Sequence, residues 1–425
     1  MAGDGRLRAL AGRLVVDVSP LRLHRDFRRL FLAGSVSIFG AFLTMVAAPL
    51  QLAQLTDSFV VVGALGLAEL VPLVVFGLVG GAIADATDRA RVARWSEGVL
   101  VLASTGLLAN ALLPRPRVWP VFVMAAVAAA ADAVQRPSVE AMIPRLVPRD
   151  LLPAANALAG LQGSAGQVIA PALGGLIAAA SLPLAYAVDA ASSVVALLFL
   201  VRLPVVRPPG GGQRPSLRGI GEGLRYALSR QELLGTYLVD IVAMTLAMPM
   251  ALFPFLARDL GPSALGLLYS AGGVGSVLVT LTSGWMSRVH RHGRAVALAA
   301  LCWGAAVGLA GLAPGLWPVL VLLTVAGAAD MVSGIFRDIV WSQTIPDQLR
   351  GRLAGIELLS FTTGPSLGNG RAGLMASWGG ARFSMGLGGA LCVGGVAVTA
   401  ALLPRFRAYD NRDAIAGVPA AAPVD

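Results

Sequence analysis

The sequence predicts an all-α polytopic membrane protein with about twelve transmembrane helices. Three observations predict it. Apolar residues make up 56% of the chain and charged residues 13%, where a soluble domain carries about a quarter charged. Apolar runs long enough to cross a bilayer, roughly 20 residues each, recur along the 425 residues with short polar breaks between them. The arginines alternate from break to break, dense in one and sparse in the next. Mean hydropathy, at +0.75, agrees.

The runs lie at roughly 30–53, 59–83, 95–113, 118–139, 152–180 and 183–201. After a longer polar break they resume at roughly 232–256, 263–286, 295–313, 316–339, 353–376 and 383–403. Several connections are too short for anything but antiparallel neighbours.

All 33 basic residues are arginine, and the formal net charge is +10. Counting Arg136 at the edge of the fourth run, the N-terminal lead, the even-numbered connections and the C-terminal tail hold 27 of them. The odd-numbered connections hold only Arg115, Arg117, Arg258 and Arg382. Positive-inside sorting then puts both termini in the cytoplasm, with the spans in the cell membrane. The arginines form no stripe interleaved with exposed aromatics, so nucleic acid is not the expected partner. The expected partners are the lipid bilayer, a small-molecule substrate and protons, with the chain acting as a monomer.

Cys302 and Cys392 each sit inside an apolar run, which leaves neither a disulfide framework nor a zinc site. His24, His290 and His292 lie in polar connections. No metal and no cofactor are expected. The Arg-rich start lacks a short apolar core with a small-residue cleavage site and reads as a cytoplasmic lead.

The organisation expected is a lead over 1–29, a first six-helix bundle over 30–202, a linker over 203–231, a second bundle over 232–403, and a disordered cytoplasmic tail over 404–425. The linker holds Arg207-Pro-Pro-Gly-Gly-Gly-Gln-Arg-Pro215 and then turns amphipathic through Leu217, Ile220, Leu224, Tyr226 and Leu228. That pattern suits a flexible stretch followed by an interfacial helix. The halves repeat one another. Asp132 matches Asp330, Glu140 matches Asp338 and Pro148 matches Pro346, each pair 198 positions apart. A six-plus-six repeat is the build of transporters whose halves rock about a central site.

Between the second and third runs stands Gly81-Ala-Ile-Ala-Asp85-Ala-Thr-Asp-Arg89-Ala-Arg91. It resembles the signature loop of the major facilitator superfamily. The resemblance implies that fold, as two pseudo-symmetric six-helix bundles, with Gly81, Asp85, Arg89 and Arg91 forming a cytoplasmic gate. The second half keeps a degraded copy at Gly284-Trp-Met-Ser-Arg288. Gly163-Ser-Ala-Gly166-Gln-Val-Ile-Ala-Pro171-Ala-Leu-Gly174-Gly175 resembles the Gly/Pro motif of the superfamily's exporters, with Ala170 where they usually carry glycine. Here Pro171 removes a backbone hydrogen bond while Gly166, Gly174 and Gly175 allow close helix contact. Segments at 24–32, 144–156, 343–353 and 364–374 resemble the siderophore-exporter branch, whose relatives also include drug and macrolide efflux pumps.

Ionisable side chains at membrane depth are costly and therefore functional suspects. The resemblance implies that the first, fourth, seventh and tenth spans line a cavity, which ranks Asp132, Asp240 and Asp330 first for proton coupling, with Glu69 next. Arg136, Arg337 and Arg371 are candidates for an anionic substrate or for gating, because a guanidinium fork matches carboxylate or catecholate oxygens. Local ion pairing, as in Asp132/Arg136 and Arg136/Glu140 at i,i+4, is the alternative reading. Asp189 and Glu357 read as structural. There is no lysine and hence no phosphate-binding Gly-x-x-x-x-Gly-Lys loop, which disfavours ATP-driven transport.

The function expected is secondary active efflux by proton antiport of a siderophore-like metabolite across the cytoplasmic membrane. Multidrug or macrolide efflux is the alternative. A polytopic membrane enzyme is disfavoured for want of a His/Cys/acid cluster, and a receptor for want of space for an output domain.

Overall fold

The computed structural model describes residues 17–206, 224–261 and 263–412. Its first six long helices are α1 (Arg25–Thr56), α2 (Phe59–Ala86), α3 (Arg89–Ala111), α4 (Val118–Leu146), α5 (Leu152–Ala180) and α6 (Leu182–Val201). The second half begins with α7, which is broken: Gln231–Ala247, a tight turn Met250–Leu252, then Phe253–Leu260. There follow α8 (Ala264–Thr282), α9 (His292–Leu312) and α10 (Leu316–Thr344). Asp347–Leu402 is continuous except at Gly380, whose φ of 85° lies in the left-handed region. Glycine alone adopts it without penalty, and the chain reverses there between α11 (347–379) and α12 (381–402). The result is twelve spans in two six-helix bundles, with no strand among the described residues.

Local chemistry explains the boundaries. Ser58 caps α2 by accepting from the Val61 N–H, Asp88 caps α3 by accepting from Ala90, and Ser181 caps α6 by accepting from Leu184. The break in α7 follows from Pro249. Met248 precedes it, and a residue before proline is driven out of the helical region; Met248 accordingly has ψ 121°. Ten segments are apolar enough to cross a membrane by length and composition. Helix α3 is absent from that set because it buries a polar face of Ser96, Glu97, Ser104 and Asn110.

Two differences from the sequence reading stand out. The tail expected to be disordered from 404 continues as a short helix, Pro404–Ala408, with Phe406 fully buried. It fits because Gly235 and Gly293 carry no side chain where the Phe406 ring and backbone pass. In the linker, residues 224–229 are helical, while the rest of the expected amphipathic segment lies outside the described residues.

Packing differs between the two ends of the molecule. At the end bearing the termini, the described apolar clusters belong to one half each. Leu30, Ala90, Met142 and Leu200 form one, and Leu233, Tyr237, Trp341 and Leu353 another. At the opposite end one cluster crosses between halves, joining Leu52 and Val62 to Phe253, Leu256 and Ala372. The halves are therefore sealed together at one end, and at the other no apolar cluster of the described residues joins them.

Candidate functional site

The separation leaves a cavity of about 580 Å³ between the halves. It extends along α1 from Leu30 to Pro49, and α2, α3, α4 and α6 complete its first-half wall. The second half contributes Met250 and Ala251 from the break in α7, Tyr269 from α8 and Asn369 from α11. The break is held in place by those neighbours. The Tyr269 hydroxyl donates to the Met250 carbonyl at 3.1 Å, and the Ala251 N–H donates to Asn369 Oδ1 at 3.1 Å.

Five carboxylates reach this cavity: Glu69, Glu97, Asp132, Glu140 and Asp189. Two of them are buried and built in. Gln135 Nε2 donates to Glu97 at 2.6 Å and the Ser37 hydroxyl donates at 3.1 Å, so α1, α3 and α4 converge on one carboxylate. Asp189 accepts from the hydroxyls of Thr44 on α1 and Ser104 on α3, the latter at 2.9 Å. Gly40 makes room for it, since a Cβ there would overlap the Asp189 carboxylate and the Ser192 hydroxyl. Every protein donor to these two acids among the described residues is neutral. Asp132 is exposed to the cavity, and Arg136 and Glu140 follow it on α4. The i,i+4 pairs anticipated among these three are not ion-paired in the structure. Glu69 faces the cavity from α2 with no hydrogen bond or ion pair to a described residue.

The remaining sequence candidates lie elsewhere. Asp240 on α7 forms a buried ion pair with Arg337 on α10, and the Ser360 hydroxyl donates to Asp240 at 3.0 Å. The Arg337 guanidinium also lies 5.3 Å over the Phe361 ring. Neither residue, nor Asp330 one further turn-pair along α10, is among the cavity-lining residues. Arg371 binds no carboxylate among the described residues. Its Nε donates to the Thr245 carbonyl at 3.1 Å and one Nη to Ser384 at 3.4 Å, which places its charge by the C-terminal end of the first part of α7.

In the signature loop, the side chains of Gly81 and Asp85 lie outside the described residues. Arg89 donates to the Ala141 carbonyl on α4 at 3.0 Å, and Arg91 is exposed. Asp88, just before Arg89, accepts from the Val206 N–H at 2.9 Å and from Arg94 at 3.3 Å, tying the loop to the stretch that follows α6. The Gly/Pro motif packs two ways. A Cβ at Gly166 would come within 2.7 Å of Ile38 and one at Gly174 within 3.2 Å of Leu43, both on α1. Gly175 faces the other half, against the backbone of Gly266 on α8, and Pro171 is buried beside it.

Glu97 is the site residue that the sequence reading missed. The apolar run over 95–113 puts Glu97 at its edge, whereas α3 starts at Arg89 and carries Glu97 two turns in. The Asp88 cap just before Arg89 was the available signal.

Comparison with known proteins follows the same lines. A family model described as transmembrane secretion effector matches residues 16–423. The enterobactin exporter EntS of Shigella boydii serotype 4 is 30% identical over 358 residues, covering 83% of this chain and 86% of the relative. The enterobactin exporter EntS of Escherichia coli O139:H28 matches to the same extent, 30% over 358 residues. Among solved structures, a mutant of the nucleoside transporter NupG superposes with a TM-score of 0.73 at 14% identity, covering 90% of this chain and 99% of that one. A D-xylose–proton symporter gives 0.68 at 14%, covering 91% and 100%. These structural likenesses carry the fold alone.

Proposed function

The chain belongs to the transmembrane secretion effector family of the major facilitator superfamily, and from that premise we propose that it is a proton-driven antiporter exporting a siderophore-like metabolite across the cytoplasmic membrane. The observation that carries the efflux reading is the cavity of about 580 Å³ between two halves sealed at one end only. Such a cavity is the size of a site for a drug-sized molecule, about 300–1,000 Å³. With the arginine-rich connections facing the cytoplasm, the open end faces the cytoplasm, ready to take up cargo. Rocking of the halves would then close that end and open the other. The substrate reading is supported by the relatives' function in enterobactin export. Proton coupling is assigned to acids at membrane depth: Glu69 and Asp132 at the cavity, Asp240 and Asp330 behind it, with Glu97 and Asp189 added on their geometry. Arg136 is the one sequence-derived candidate for an anion or a gate that faces the cavity; Arg337 and Arg371 act as structural cations. The working unit is a monomer.

Export of drug-like molecules is the second reading. The apolar stretches of the wall favour it, at Ile38, Ala41, Met45, Val62 and Leu65, because such surface selects little beyond size and lipophilicity.

The test is secretion under iron limitation. Mass spectrometry of medium and cell extracts compares a deletion strain with its parent and with the complemented strain. Loss of a chelator from the medium, with its accumulation in cells and recovery on complementation, is the expected result. Unchanged secretion overturns the siderophore reading and leaves drug-like export to be measured with toxic dyes.

A further inference from the structure

Among the described residues the cavity carries charged side chains on one side only, and acids predominate there. Among the described lining residues, five carboxylates face a single cation, Arg136. Among the described residues the second half presents only Met250, Ala251, Tyr269 and Asn369 there, while its buried acid Asp240 is matched by Arg337 away from the cavity. The first-half acids have no such match. Glu97 and Asp189 are held by hydroxyl and amide donors, and Glu69 and Asp132 by no described residue. Polar groups pinned in a low-dielectric cleft focus their field into it, because apolar walls screen poorly.

We propose that the cargo of this cavity is an amphiphilic organic cation, its positive group held among Glu97, Asp132 and Asp189 and its apolar body against α1 and α2. The proposal rests on the efflux reading above and names the substrate class for the same cavity. A metal-chelating metabolite with a free amine and a basic lipophilic drug both belong to that class. A multiply anionic catecholate does not, since it would enter along a wall where five acids outnumber one cation, Arg136. Hydroxyl and amide donors also leave both buried acids with spare lone pairs, which an ammonium group can use as acceptors.

The experiment is equilibrium binding to the purified full-length chain in a neutral maltoside detergent. Tetraphenylphosphonium is dialysed against the protein and against protein-free micelles. Tetraphenylborate, of the same shape and opposite charge, is dialysed in a separate series, because the two ions precipitate together as a salt. Saturable phosphonium binding is expected, with the borate at least about tenfold weaker, a difference of about 1.4 kcal/mol. Asp132→Asn and Glu97→Gln should each weaken phosphonium binding by about tenfold. Absence of saturable phosphonium binding, equally tight binding of the borate, or undiminished binding to both variants overturns the proposal. The wild-type comparison decides even if a variant does not fold. Binding needs no gradient, so the two readings fail separately. Cation binding without gradient-driven efflux keeps this proposal and removes the efflux reading; efflux of an anionic metabolite without cation binding does the reverse.

Discussion

Arg258 grips Asp57 across the seam between the two halves, from the end of α7 to the turn between α1 and α2. The same guanidinium donates to the Ala53 carbonyl at 2.7 Å and stacks 5.1 Å over the Phe255 ring, which itself packs on Phe59 with centroids 4.1 Å apart. Asp57 is the only non-glycine residue with positive φ among those described, at 50°. The turn that presents its carboxylate thus stores some strain. This cluster lies at the sealed end, where it latches the cavity.

Breaking that latch should loosen the seal without unfolding the protein. Asp57 and Arg258 are both substantially exposed, and exposed pairs contribute about 0.2–1 kcal/mol. Asp57→Asn or Arg258→Gln is therefore expected to shift the balance of open and sealed forms by about two- to fivefold. Spin labels at Gln54 and Asp259, both exposed near the seam, would report it, after the exposed Cys302 is replaced by serine. An unchanged distance distribution would remove the latch role.

The buried pair of Asp240 and Arg337 behaves differently. Removing one member leaves a charge stranded in the bundle, at a cost of about 3–5 kcal/mol. Asp240→Asn and Arg337→Met should each lower the melting temperature in detergent. Combining them should recover most of the loss, because the double variant buries no unpaired charge. A role in coupling adds a second readout. The recovered double variant would be stable and still impaired in gradient-driven efflux, and Asp330→Asn would impair efflux as well. Normal transport in the stable double variant would make the pair purely structural.

Much of this arrangement was legible in the chain, and the reasons are specific. Span number followed from apolar run length, because lipid leaves the backbone no alternative to intrahelical hydrogen bonding. Close contacts could be read from Gly166, Gly174 and Gly175, since close approach demands a missing side chain. The inward face of each helix was less legible. Nearly all residues of α4 or α10 are apolar enough for either lipid or protein, so Asp132 and Asp330 looked alike in the repeat, though only Asp132 lines the cavity. Asp189 read as structural because its helix was placed at the periphery. It reaches the cavity because Gly40 lets α6 lie close against α1. Phe406 was invisible as an anchor, its receptors Gly235 and Gly293 lying more than a hundred residues away.

Glu97 is the residue whose neutralisation should separate cargo exchange from energy coupling. The glutamine in Glu97→Gln keeps an acceptor oxygen for Gln135 or Ser37 while losing the capacity to carry a proton. Proteoliposomes with an imposed pH gradient should show uphill transport reduced by about tenfold or more, as for loss of a general acid or base, about 10²–10⁴-fold in enzymes. Downhill exchange of the same cargo should persist when it is supplied at a concentration that saturates the weakened site. Equal loss of both would mark Glu97 as a support for α3 and α4, with no part in coupling.

The seam between α5 and α8 offers the sharpest contrast between neighbouring glycines. A Cβ at Gly175 would overlap the Gly266 backbone, and one at Gly273 would lie 2.6 Å from the Gln167 carbonyl. Backbone cannot rotate away as a side chain can, so Gly175→Ala must push the halves apart at the sealed end. Overpacking of this kind costs about 1–3 kcal/mol, and here the cost falls on the sealed form alone. The variant should favour the form opened on that face, read by the Gln54–Asp259 labels as a longer distance, and its efflux should slow. Gly163 is the internal control, since nothing lies within 4 Å of a Cβ placed there. Gly163→Ala should leave the distances unchanged and stabilise α5 by about 0.5–1 kcal/mol through helix propensity. If the two alanines behave alike, the close contact of Gly175 with Gly266 does not set the balance between the two forms.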